Sequence, residues 1–211
     1  EKLNEQYNFS KKLFPFLKTY QIHSATLETG VLKDEAVLNR LAFLKAKHNL
    51  TIGITTTGAN QVEVIKEALD ISIEGNQLFD AFQITYNLLD QSLASIQKEL
   101  KLQEKKVIIK EALANGRIFK NENYMHYLAM YTTLEKLAKK YNVGVDAIAL
   151  QFCAQTVNES IILSGASSTI QLEENLKMNI FKFSEEELQQ LTSFKIQPSA
   201  YWQERKQLEW N

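Results

Sequence analysis

An α/β protein built on a parallel sheet is the fold class this sequence predicts, and three observations carry it. Five short, β-branched-rich segments alternate with segments of helical periodicity after Lys18, an alternation that builds parallel sheets. The strand segments are mostly apolar, as strands covered on both faces are. Three of them, TYQIHS (19–24), FDAFQITYN (79–87) and ILSGASSTIQLEEN (162–175), carry polar residues where the strand ends, the end at which such folds place their active sites.

Residues 1–14 are polar, with Phe9, Leu13 and Phe14 at helical spacing, and Pro15 ends or kinks that helix. TYQIH is the first strand. Asp34 is an N-cap candidate for a helix whose Val37, Leu38, Leu41 and Leu44 form an apolar stripe. LTIGIT (50–55) is the second strand, followed by a helix with Val62, Ile65 and Leu69 on one face. FDAFQIT is the third; a helix with Leu93, Ile96 and Leu100 leads to the fourth, KVIIK (106–110). The segment 121–142 is helical through Leu134, Leu137, Ala138 and Tyr141, and Asp146 is expected to cap a helix reaching Cys153. SIILSG (160–165) is the fifth strand. Ser168 with Gln171 and Ser184 with Glu187 spell two capping boxes, the second flanked by Phe183 and Leu188 in a hydrophobic-staple arrangement.

The chain has 211 residues, 45% of them hydrophobic and 23% charged, enough to bury a core. No Pro/Gly/Ser-rich linker divides it, so one domain spanning 1–211, with a tail over 195–211, is the expected organisation. A net charge of -1 gives no nucleic-acid footprint. No stretch approaches the roughly 18 apolar residues that cross a bilayer, and no basic-then-apolar opening marks a signal peptide, so the cytoplasm is the expected compartment. Cys153, the single cysteine, lies in the apolar run IALQFCA and reads as a small hydrophobe rather than a nucleophile. His23, His48 and His126 have no metal-ligand spacing, and no metal site is expected.

Five parallel strands suit an open doubly wound sheet or part of an eight-stranded barrel. No G-x-G-x-x-G follows the first strand, as a Rossmann fold would want. Taken together, YQIHS, TIGITTTGANQ, FDAFQITYNLL, KEALANGRI and LSGASSTIQLEENL resemble, in this order, strands four to eight of the aldo-keto reductases. These are (β/α)8 TIM barrels that use NADPH or NADH. The resemblance implies that the chain covers roughly the last five β/α units and that its parent reduces an aldehyde or ketone, or runs the reverse oxidation.

By that resemblance His23 is the catalytic histidine that orients the substrate carbonyl; on position alone it could equally be a satisfied strand-end histidine. Gln83 matches the glutamine that bonds the nicotinamide carboxamide. Thr55 stands where the family has serine, and Thr56 where it has asparagine. Lys110 stands at the nicotinamide-packing position, commonly aromatic, and is open to a charge role or to a solvated strand end. Gly165, Ser167 and Ser168 resemble the contacts to the cofactor phosphates, at a turn whose free N–H groups and following helix dipole favour an anion. Gln171 replaces the arginine that many members set against the 2′-phosphate, and the choice between NADP and NAD stays open. Glu174 and Asn175 resemble the adenine contacts. Trp202 and Trp210 either wall a substrate pocket or dock the tail.

The family's remaining active-site aspartate, tyrosine and lysine would lie before Glu1, and neither Tyr7 nor Lys18 stands in for them. The sequence opens on Glu1 rather than Met, and the expectation is an upstream segment. Without three strands both sheet edges would be unpaired, and self-association is expected. The alternative is a non-catalytic cofactor-binding or regulatory protein on the same scaffold.

Overall fold

The structure, a computed structural model, describes residues 2–208; Trp210 lies outside them. In chain order the elements are α1 (Lys2–Ser10), β1 (Thr19–Ala25), α2 (Glu35–His48), β2 (Thr51–Thr56), α3 (Gln61–Leu69), β3 (Ser72–Ile73), β4 (Asn76–Gln77), β5 (Ala81–Thr85), α4 (Gln97–Leu102), β6 (Lys106–Lys110), α5 (Leu128–Tyr141), α6 (Val145–Thr156), β7 (Ile161–Ile162), α7 (Thr169–Leu176), α8 (Glu185–Thr192) and α9 (Pro198–Arg205). The chain divides into two compact units, one running up to Gln83 with Leu100–Lys106, the other comprising Ile84–Glu99 and the residues from Val107 onward.

In the first unit β2 pairs in parallel with β1 and with β5. The pairs Gly53↔Ala81 and Thr55↔Gln83 put Gln21, Thr55 and Gln83 on one face of these strands. Ile52, Ile54 and Phe82 alternate to the other and are buried with Leu38, Leu41 and Leu44 of α2 and Ile65 of α3. Gly53 is dictated by packing, since a Cβ there would stand 2.8 Å from the carbonyl oxygen of Ala81. Asp34 caps α2, accepting from the Val37 N–H at 3.0 Å, and Asn49 ends it in the left-handed region at φ 50°. β3 and β4 form an antiparallel hairpin not expected from the sequence. Its turn residues, Glu74 and Gly75, both have positive φ, as the type I′ hairpin turn requires.

In the second unit β6 pairs in parallel with β7, Ile108↔Ile161 and Ile109↔Ile162. The core combines Ile84, Tyr86 and Leu89 with Ile109, Met130, Leu134, Ile148, Phe152 and Cys153. Both α5 and α2 end in a left-handed asparagine, Asn142 in this unit. The capping box at Ser184 is complete: its hydroxyl accepts from the Glu187 N–H and the Glu187 side chain accepts from the Ser184 N–H.

Four local expectations need correction. The helix before Pro15 stops at Ser10, with a 3-10 turn over Lys11–Leu13. The helix carrying Leu93, Ile96 and Leu100 is interrupted at Ile96, whose φ of −124° breaks it into a 3-10 turn, Ser92–Ser95, and α4. α6 is capped by Gly144, which holds the extended conformation a cap needs; Asp146 is the second residue of the helix, in its first turn, accepting from the Ala147 N–H. β7 is two residues long, although the Leu163 N–H still donates to Ile109.

Candidate functional site

In the first unit, β1 and β2 run in register to Ile22↔Ile54 and resume at Ala25↔Thr56. One extra residue of β1 is therefore inserted at His23–Ser24, and Ser24 takes φ 53°. A bulge of this kind re-aims a side chain. His23 is exposed, with Nδ1 3.1 Å from the Ser24 hydroxyl. With that hydroxyl donating, the proton resides on Nε2, which can donate to a carbonyl oxygen.

Gln83 is half-buried, beside Thr55 in the β2–β5 register. The Thr55 hydroxyl lies 3.5 Å from Gln21 Oε1. Thr56 is fully buried and donates within the unit, to Gln61 Oε1 and to the backbone oxygen of Gln83, each at 3.4 Å. Thr56 thus braces β5, while Gln83 and Thr55 present amide and hydroxyl from one polar face. Gln21 belongs to that face and was not foreseen. Its signal was period-two alternation, with Gln21 standing between Thr19 and His23 at every second position of β1.

In the second unit, Lys110 ends β6. Burial lowers its pKa, the Glu111 carboxylate partly opposes this, and Arg205 adds to it. A cleft of about 340 Å³ opens next to it, bordered by Glu111, Leu113, Gly116, Ser164 and Gly165. A Cβ on Gly165 would meet nothing within 4 Å, so the backbone there is open to a ligand.

The next residues form a second hollow, about 430 Å³, lined by Ser167, Ser168 and Thr169 among others. Ser168 caps α7, accepting from the Gln171 N–H at 3.2 Å. The Gln171 side chain does not close the box. Its Oε1 accepts from the Ser167 N–H at 2.8 Å and from the Ser167 hydroxyl at 3.1 Å. Glu174 pairs with Lys177. Asn175 is buried; oriented to satisfy both ends of its amide, it donates to Asp146 at 2.9 Å and accepts from Ser164 at 2.8 Å. The structure therefore gathers Gly165, Ser167, Ser168 and Gln171 in one loop and helix start, and sets Asn175 beneath them as a brace.

A polar network around α9 went unforeseen because its members are scattered along the sequence. Arg205 grips Glu111 through Nε, at 2.9 and 3.1 Å from the two oxygens, and through Nη2. Tyr201 donates to Glu111 at 3.2 Å and accepts from Asn87 at 2.9 Å. Arg117, 1% exposed, pairs with Glu204 at 3.0 Å and stacks over Tyr201. Trp202 is buried and donates to Asp90 at 3.1 Å; it docks the tail. Burial raises the Asp90 pKa against the hydrogen bonds from Ser92 and Trp202. Cys153 is fully buried with its pKa pushed up by desolvation, the setting of a packing residue. Among the described residues no cluster of three His, Cys, Asp or Glu could hold a metal ion, and no helix is long and apolar enough to cross a membrane.

Residues 17–196 match the profile of the aldo/keto reductase family, and the chain belongs to that family. Solved structures share its fold. A thermostable aldo-keto reductase, Tm1743, crystallised with the inhibitor epalrestat, is 22% identical with a TM-score of 0.64; the match covers 84% of this chain and 59% of that one. An aldo-keto reductase from Bacillus halodurans in its apo form is 21% identical with a TM-score of 0.65, over 84% of this chain and 61% of that one. A mutant of Gox0644 in complex with NADPH is 17% identical with a TM-score of 0.67, over 91% and 64%. The chain thus spans about three-fifths of the length of these structures. No curated protein matches it by sequence.

Proposed function

We propose that this chain forms the last five β/α units of a (β/α)8 barrel that reduces an aldehyde or ketone with NADPH or NADH, or oxidises the corresponding alcohol. The family match over residues 17–196 carries the reading. The residues present suit such a cofactor: a half-buried carboxamide on a polar strand face, and a glycine loop leading into a helix start with open space at Gly165.

In this reading Gln83 pairs amide to amide with the nicotinamide carboxamide and fixes which ring face is presented, with Thr55 beside it. Thr56 acts indirectly, by holding the β5 backbone. Gly165, Ser167, Ser168 and the first turn of α7 take the phosphates, and Glu174, Asn175 and Gln171 shape the adenosine end. Lys110 borders the nicotinamide. His23 donates from Nε2 to the carbonyl oxygen, drawing electron density from the carbon that is to be reduced. The bound cofactor supplies the hydride. The tyrosine that protonates the alkoxide in this family, with its aspartate and lysine, has no counterpart among the described residues, so the chain contributes binding and orientation. We assign the cytoplasm as its compartment and a small carbonyl compound as its substrate.

Lys110 favours a second reading, a cofactor-binding or regulatory role without turnover, because a half-buried ammonium cannot stack on a nicotinamide as an aromatic ring does.

Calorimetric titration with NADPH and with NADH tests the proposal. Saturable binding of at least one is expected, and binding of neither overturns it. Binding without turnover of any of a broad carbonyl panel, in a polypeptide that also carries the family's tyrosine, would favour the second reading.

A further inference from the structure

Glu111 is an unexpected wall for an anion site. It borders the same cleft as Ser164 and Gly165 and is held at φ 56° directly after Lys110. Its side chain is 11% exposed and that of Arg205 14%, so water screens their charges poorly and like-charge repulsion across the cleft would be strong. The carboxylate is covered by α9: Arg205 binds both oxygens and Tyr201 donates to one. The other charged groups of this network have partners of their own, Asp90 with Trp202 and Glu204 with Arg117. Lys110, the remaining neighbouring cation, has its charged form disfavoured by burial.

We propose that Arg205 is a cofactor-affinity determinant: by neutralising Glu111 it makes the Gly165 cleft able to accept the phosphates of a nicotinamide dinucleotide, so that a residue of the C-terminal helix sets binding at the strand ends. This rests on the function proposed above. It differs from a role in which Arg205 only fastens α9, because the electrostatic role requires Arg205 only while Glu111 carries a charge.

The test is NADPH binding by the full chain, as wild type, Arg205→Gln, Glu111→Gln and the double variant, with inorganic pyrophosphate as a second probe and far-ultraviolet circular dichroism to verify folding. Arg205→Gln is expected to weaken NADPH at least about tenfold, as exposing a poorly screened charge in a binding site does. Raising salt to about 0.5 M should shrink that ratio. Glu111→Gln should bind more tightly than Arg205→Gln, and the double variant should recover to within about threefold of wild type, since the offending charge is gone. A double variant as weak as Arg205→Gln, a ratio indifferent to salt, or an Arg205→Gln that binds like wild type overturns the inference while leaving the cofactor reading intact. A wild type and a Glu111→Gln that bind neither NADPH nor pyrophosphate overturn both. Should Arg205→Gln fail to fold, the comparison of wild type with Glu111→Gln decides: weaker binding by Glu111→Gln would contradict a carboxylate that must be neutralised.

Discussion

Single side chains in the first unit stand in two different settings. His23 projects from a bulge at the strand end, whereas Gln83 sits half-buried on the polar face shared with Thr55 and Gln21. If the assignments hold, Gln83→Ala weakens NADPH by roughly tenfold, the scale of losing one hydrogen-bonded group in a site, while His23→Ala leaves the cofactor dissociation constant within about twofold; titration of both variants measures this. Gly53 makes a different kind of claim. The Cβ of Gly53→Ala would be forced to 2.8 Å from a backbone oxygen, and overpacking of this sort costs roughly 1–3 kcal/mol, readable as a lower urea midpoint with unchanged slope. An unshifted midpoint would mean that β2 and β5 can separate at no cost. His23 and Gln83 stood out in the sequence as polar residues in strand segments, His23 near the end of β1 and Gln83 in the middle of a mostly apolar β5, and only the resemblance to a family gave them roles. Glu111 and Arg205 were not, since their pairing joins positions far apart in the chain and nothing local in either segment announces it.

Among the elements, sequence patterns succeeded where the signal is local. The Ser184 box formed completely, Asp34 caps α2, Leu38, Leu41 and Leu44 of the α2 stripe are buried with Val37 half-buried, and the α3 stripe is buried. Ser184→Ala should cost about 1 kcal/mol, seen as a lower thermal midpoint. The same helix carries a pH dependence. Burial raises the Glu187 pKa, but hydrogen bonds from Lys140, Tyr141 and Ser184 outweigh it, and the net direction is downward from 4.5. A carboxylate favoured in the folded state stabilises above its unfolded pKa, and that stabilisation is lost as pH falls through the folded value. The wild type should therefore exceed Glu187→Gln in stability near pH 7, by at most about 1 kcal/mol for a pair with an exposed lysine, and the gap should close below about pH 4. A gap independent of pH would show that the charge on Glu187 does nothing. The patterns failed where helices break or start by backbone geometry, at Ile96 and at Gly144, because periodicity records which face is apolar and not where the dihedral angles change. The β3–β4 hairpin escaped for a related reason: Glu74 is an unusual occupant of a left-handed turn position.

On the scale of the whole molecule, alternation of strand and helix was enough to give a parallel α/β fold, and the order of five weak motifs gave the family. Neither bears on how the chain behaves in solution. Among the described residues β1 pairs only with β2, and β7 only with β6; Ile161, Leu163, Ile170 and Leu176 near the latter are exposed. Free strand edges with apolar neighbours invite pairing, and we expect concentration-dependent association in sedimentation velocity. A monodisperse species at 24.2 kDa across the micromolar range would contradict that expectation.

The lone thiol has a use of its own. Cys153 is fully buried in the second unit, its Sγ against the backbone oxygen of Tyr86, and it is the only cysteine in the chain. A maleimide can reach it only when that core opens, so the slow step in labelling is the opening itself or its equilibrium population. The protein thus carries a built-in stopwatch: a single covalent mass increment, timed with and without NADPH, reports how often the second unit comes apart and whether a ligand holds it shut.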